Sequence, residues 1–98
     1  MINILVVEDD KKLNQIVCAY LANEGYSVKG CLKPNEAYDE MYGTLFDLII
    51  SDIMVPGADG FEFAETVRSL NKTIRLVLSR NFFDFLKNLQ KKTYLLFS

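Results

Sequence analysis

Asp47-Leu48-Ile49-Ile50-Ser51-Asp52-Ile53-Met54-Val55-Pro56-Gly57-Ala58-Asp59-Gly60-Phe61-Glu62 is the stretch of this 98-residue chain whose reading decides the fold. It begins inside a strongly apolar run, Leu45 to Ile50, of the kind that makes a strand buried on both faces. That strand ends in Ser51-Asp52. Met54 to Gly60 then carries the proline and glycine punctuation of a loop. A helix is predicted from about Phe61 to Leu70, with Asp59 as its N-cap and Phe63, Ala64, Val67 and Leu70 on its inner face. Strand, polar end, loop and helix form one unit of an alternating α/β chain.

The flanks repeat that unit. Ile2 to Val7 is a nearly continuous apolar run rich in β-branched residues, again a buried strand. Apolar residues at Leu13, Ile16, Val17, Tyr20 and Leu21 make a helical stripe within Lys11 to Glu24. Asp9 or Asp10 can cap that helix and Gly25 can end it. Tyr26 to Cys31 reads as a short strand. Pro34 suits the first turn of a helix that carries Ala37, Tyr38 and Met41 and ends at Gly43. Ile74 to Leu78 is another buried strand. Asn81 to Lys92 reads as a helix with a broad apolar face, and Thr93 to Phe97 as a fifth strand. Strands alternating with helices imply one α/β domain, residues 1–98, with a parallel sheet covered on both sides.

Composition narrows the function. Half the residues are hydrophobic and about a quarter are charged, as in an ordinary globular domain. A net charge of −2 and a pI near 5.0 give no basic footprint for direct contact with nucleic acid or an anionic membrane. The apolar N-terminus lacks a cationic lead and is too short for a signal peptide or a membrane span, which assigns the chain to the cytoplasm. Cys18 and Cys31 lack metal-ligand spacing and sit in apolar patterns, so both read as small core residues in a reducing compartment. The chain has no histidine, which removes imidazole metal sites and Ser-His or Cys-His nucleophilic pairs. Any metal must be held by oxygen.

Oxygen groups stand at three strand ends: Glu8 and Asp9 after the first, Asp52 at the third and Ser79 after the fourth. In doubly wound sheets, ligands bind outside the carboxyl ends of the strands. Carboxylates gathered there repel one another, and a bound Mg²⁺ relieves that repulsion, coordinated by oxygens at about 2.0–2.1 Å. Taken singly, each acid is explained as a cap or as a partner of a helix dipole. Acids at two different strand ends in this order favour a site. Asp10 reads as a cap.

Ile4-Leu5-Val6-Val7-Glu8-Asp9-Asp10 and the stretch from Asp47 to Glu62 resemble the two signature segments of response-regulator receiver domains of two-component systems. The likeness covers residues 2 to about 79, and the start of the chain resembles receivers of the OmpR/PhoB type. The resemblance implies a flavodoxin-like doubly wound sheet with strand order 2-1-3-4-5; the interval after the fourth strand is shorter than the family norm, which leaves open whether the last elements are shortened or missing. It implies that Asp52 is a phosphoacceptor fed by a sensor histidine kinase. It also implies a Mg²⁺ held by the side chains of Asp9 and Asp52, by the Met54 carbonyl and, through water, by Glu8. Ser79 would hydrogen-bond the phosphoryl group, and Ser79 and Tyr94 would act as switch residues. Likeness to the OmpR/PhoB type implies that DNA is contacted only by a separate effector domain of a longer parent protein.

The resemblance weakens from about Arg75. Phe97 and Ser98 occupy positions where the family has lysine and proline, and phenylalanine supplies neither charge nor donor. Lys87, Lys91 and Lys92 are poor substitutes. Two explanations stay open: a degenerate or truncated receiver, or a tail diverged through a change of reading frame. Two functional readings stay open with them. One is a phosphorylatable switch; the other is a phosphorylation-independent module for homodimerisation or docking, resting on Phe82, Phe83, Phe85 and Phe97. An aspartate-nucleophile phosphatase needs a second aspartate two residues after the first. Position 54 is Met, so an enzyme is not expected.

Overall fold

A computed structural model describes residues 1–52 and 60–79. The chain runs β1 (Asn3–Val7), α1 (Lys11–Asn23), β2 (Ser27–Cys31), α2 (Pro34–Gly43), β3 (Leu48–Asp52), α3 (Gly60–Leu70) and β4 (Arg75–Ser79). The four strands are parallel in the order β2-β1-β3-β4. This is the expected α/β sheet with the expected order as far as β4. The loop 53–59, with Met54 and Asp59, lies outside the described residues. So does everything after Ser79, including the expected helix, fifth strand, Tyr94 and Phe97.

The sheet is covered on both faces because its two inner strands, β1 and β3, are apolar on both. On one face Ile4, Val6, Leu48 and Ile50 pack with Val17 and Leu21 of α1. On the other, Leu5, Val7 and Ile49 pack with Ala37 of α2 and with Phe63 and Val67 of α3. Tyr38 stacks on Phe63 with ring centroids 5.7 Å apart, joining α2 to α3. Leu70, expected inside, is partly exposed at the end of α3.

The α1 stripe is turned by one residue from the sequence reading. Asn14, Val17 and Leu21 are buried, whereas Ile16 is 45% exposed. Asn14, Val17, Cys18 and Leu21 follow the same helical offsets as the expected stripe, one position later. A polar residue therefore holds an inward position at the first turn.

The caps follow local chemistry. Asp10, and not Asp9, is the N-cap of α1: its backbone is extended and its Oδ1 accepts from Leu13 N–H at 3.0 Å. Asp10→Ala is expected to lower stability by about 1 kcal/mol, the usual worth of such a cap, read as a shift in the urea midpoint. At the other end Gly25 takes φ +99°, its N–H donates to Ala22 O, and Tyr26 N–H donates to Leu21 O. That left-handed termination needs glycine.

β3 starts at Leu48, later than the apolar run. Asn3 and Asp47 tie the amino ends of β1 and β3: Asp47 Oδ2 accepts from Asn3 N–H at 2.8 Å, and Asp47 N–H donates to Asn3 O. Asn3 Nδ2 also donates to Leu45 O, which leaves the Leu45 side chain exposed while Phe46 turns into the core.

Both cysteines are free thiols; Cys31 is buried and Cys18 is half-buried. Burial raises both thiols, and Cys31 is pushed from 9.0 up to about 11, with the Glu40 and Glu36 charges adding to burial. A raised thiol stabilises the fold below the unfolded value, and that contribution is lost as pH rises through the folded value. Stability therefore falls between pH 9 and about 11, and Cys31→Ala is expected to flatten that alkaline slope in urea titrations.

Candidate functional site

The site is built where β1 and β3, neighbours in the sheet, end together. Val7 is paired with Ser51, so continuing the register sets Glu8 beside Asp52, with Asp9 one step further out. On the other side of β3, Asp52 is paired directly with Ser79. Parallel neighbours lie about 4.8 Å apart. The backbone thus brings Glu8, Asp9, Asp52 and Ser79 to one edge, from positions far apart in sequence. Ser79 is the last residue of β4, level with Asp52, although the sequence reading ended that strand at Leu78.

Glu8 is only 2% exposed, whereas Asp9 is exposed to solvent. Glu8 Oε1 accepts from Asp10 N–H at 3.1 Å, which folds the carboxylate over the start of the β1–α1 turn. A buried carboxylate is costly unless donors or a cation compensate it. Asp10 is taken up as the helix cap, while the neighbouring Asp9 is exposed to solvent.

Asn14 is the residue that sequence reasoning missed. It is 5% exposed, and its Nδ2 donates to Glu8 O at 3.0 Å and to Cys31 O at 2.8 Å. Glu8 N–H also donates to Cys31 O at 3.0 Å, so the ends of β1 and β2 and the first turn of α1 are knotted at one point. Cys18 Sγ donates to Asn14 Oδ1 at 3.3 Å. The signal was present: an asparagine three, four and seven positions before Val17, Cys18 and Leu21.

A cavity lies at the opposite, amino-terminal end of the strands, lined by Ile2, Phe46, Asp47, Thr73 and Arg75 among others. It is separated from Glu8 and Asp52 by the length of the strands.

Comparison with known proteins agrees with this arrangement. Residues 4–92 match the response regulator receiver domain family, a match that runs past the point at which the sequence reading loses the pattern. The regulatory protein VanRB of Enterococcus faecalis is 40% identical over 78 residues, covering 80% of this chain and 36% of that protein. The chain spans about a third of the length of the curated relatives it matches. Among solved structures, the Vibrio cholerae chemotaxis response regulator CheY4 superposes with a TM-score of 0.74 at 34% identity, over 80% of this chain and 67% of that one. A chain from the crystal structure of the histidine kinase ThkA in complex with the response regulator protein TrrA gives a TM-score of 0.80 at 27% identity, over all of both chains. With four parallel strands in the order β2-β1-β3-β4 and acidic residues gathered at their carboxyl ends, this chain belongs to the response regulator receiver domains of two-component signalling.

Proposed function

We propose that the domain is a phosphorylatable switch in which Asp52 accepts a phosphoryl group from a phosphohistidine on a partner histidine kinase. The observation that carries this reading is the register of β3, which sets Asp52 between Glu8-Asp9, just after β1, and Ser79 on β4. The ThkA–TrrA complex, in which a histidine kinase meets a response regulator, supports the class of partner.

The donor set fits Mg²⁺. The groups at this edge are carboxylates and a hydroxyl, the hard oxygen ligands that this ion takes, and the chain has no imidazole to compete. Asp9 and Asp52 would hold it by their side chains, Met54 by its carbonyl, and Glu8 through water. When bound, the ion neutralises phosphoryl charge and aligns the group for in-line transfer.

The carboxylate of Asp52 attacks phosphorus and forms the O–P bond of an acyl phosphate. The P–N bond to histidine breaks, and the imidazole nitrogen keeps the electron pair and takes a proton from water. Ser79, level with Asp52, supplies a hydroxyl to a phosphoryl oxygen. The new dianionic group then biases the domain toward a second arrangement of its outer face.

We place the domain in the cytoplasm, where free thiols at Cys18 and Cys31 persist. Among the described residues no helix is long and apolar enough to cross a membrane. We further propose that it belongs to a transcriptional regulator whose separate effector domain contacts DNA, as its OmpR/PhoB-type relatives suggest. The test is incubation with acetyl phosphate. Label is expected with Mg²⁺ and not with EDTA; equal labelling in both, or none in either, contradicts the metal-dependent reading.

A further inference from the structure

We infer that Asn14 is a positioning residue for the metal edge of the site, seated there by the missing side chain of Gly30. This rests on the Mg²⁺ site proposed above. Glu8 and Asp9 follow β1 directly, so their height above the sheet depends on how the β1–α1 turn is anchored. Asn14 anchors it to both strand ends. Its two amide hydrogens go to Glu8 O just after β1 and to Cys31 O at the end of β2, which fixes the amide's orientation and leaves Oδ1 pointing toward Cys18 Sγ and Gly30.

Gly30 makes that orientation possible. A Cβ at position 30 would overlap Asn14 Oδ1 and lie 3.3 Å from Asn14 Cγ and 3.0 Å from Cys18 Sγ. The amide cannot retreat without giving up its bonds to both strand ends. Gly30 has no need of a left-handed backbone, because the only positive φ among the described residues is at Gly25. Its role is space, and the occupant of that space is the Asn14 side chain. Groups that orient ligands from behind commonly carry about 10- to 100-fold in metal affinity.

The experiment is a Mg²⁺ titration of the wild type, Asn14→Ala, Gly30→Ala and the double variant, followed by the backbone amide resonances of residues 8 to 13. Amide hydrogen exchange is measured on the same samples. Each single variant is expected to weaken Mg²⁺ binding by about tenfold. The double variant should bind no worse than Asn14→Ala, because once the amide is gone the alanine at position 30 has little left to displace. Exchange at Glu8 N–H, which donates to Cys31 O, should quicken in both singles, while Val67 on α3 stays protected.

Unchanged Mg²⁺ affinity in Asn14→Ala, even with lower stability, overturns the inference and leaves Asn14 a packing residue. Additive losses in the double variant overturn the link to Gly30. A wild type that binds no Mg²⁺ sinks the metal site itself. The positioning role then stands or falls on exchange at Glu8, where wild-type rates in Asn14→Ala reject it. Should Asn14→Ala fail to fold, Gly30→Ala, which keeps the asparagine and removes only its seat, decides the same question.

Discussion

Asp52→Asn is expected to abolish phosphoryl acceptance, taking labelling by acetyl phosphate in Mg²⁺ down to background while the fold survives. In the proposed reaction this carboxylate would supply both the attacking oxygen and one of the anionic ligands of the metal. An amide of the same shape is neutral, and its oxygen is a far weaker nucleophile. The position is the last residue of β3, after the apolar segment Leu48–Ile50 that holds the strand in the core. Near-isosteric change there should move the thermal midpoint little. Labelling of the asparagine variant at the wild-type rate would place the acceptor elsewhere on the chain.

Ile50→Ala is expected to have the largest effect on the fold, with a loss of about 3 kcal/mol, within the usual range for truncating a buried isoleucine. Ile50 is fully buried, two residues before Asp52. It packs with Ile4, Val6, Val17, Leu21 and Leu48, and it is paired with Val6 on β1 and Val77 on β4. A domain of this size holds a net stability of about 5–15 kcal/mol, so a large share is lost. At about 4–8 °C per kcal/mol, the melting temperature should fall by well over 10 °C. A shift of only a degree or two would mean that β3 is not the buried strand between β1 and β4.

Much of this architecture was legible because the inner strands β1 and β3 are short and apolar on both faces, and the helices between strands carry their own punctuation. Pro34 and Gly25 mark the start of one helix and the end of another by backbone restriction alone, and both fall where the sequence puts them. The acid edge was legible too: Glu8, Asp9, Asp52 and Ser79 are strand-end residues, and parallel topology brings strand ends together.

Structure departs from pattern where tertiary contacts outweigh it. Leu45 looks like strand, but the bonds from Asn3 to Asp47 and Leu45 set the start of pairing later. Ile16 looks like core, yet α1 is rolled so that Asn14 faces in, because its amide satisfies two strand-end carbonyls that would otherwise be buried without that donor. Binary patterning cannot see such a residue, since it scores an inward asparagine as a surface one. Asp9 and Asp10 were equivalent as caps in the sequence, and only the bond from Leu13 N–H separates them.

The most direct test is to map the phosphoryl group after treating the wild-type chain with acetyl phosphate and Mg²⁺, by peptide mass analysis before and after hydroxylamine. One hydroxylamine-labile phosphoryl group is expected, confined to the peptide that contains Asp52. A stable adduct on Ser51, Ser79 or any other hydroxyl, or no adduct at all, would contradict it.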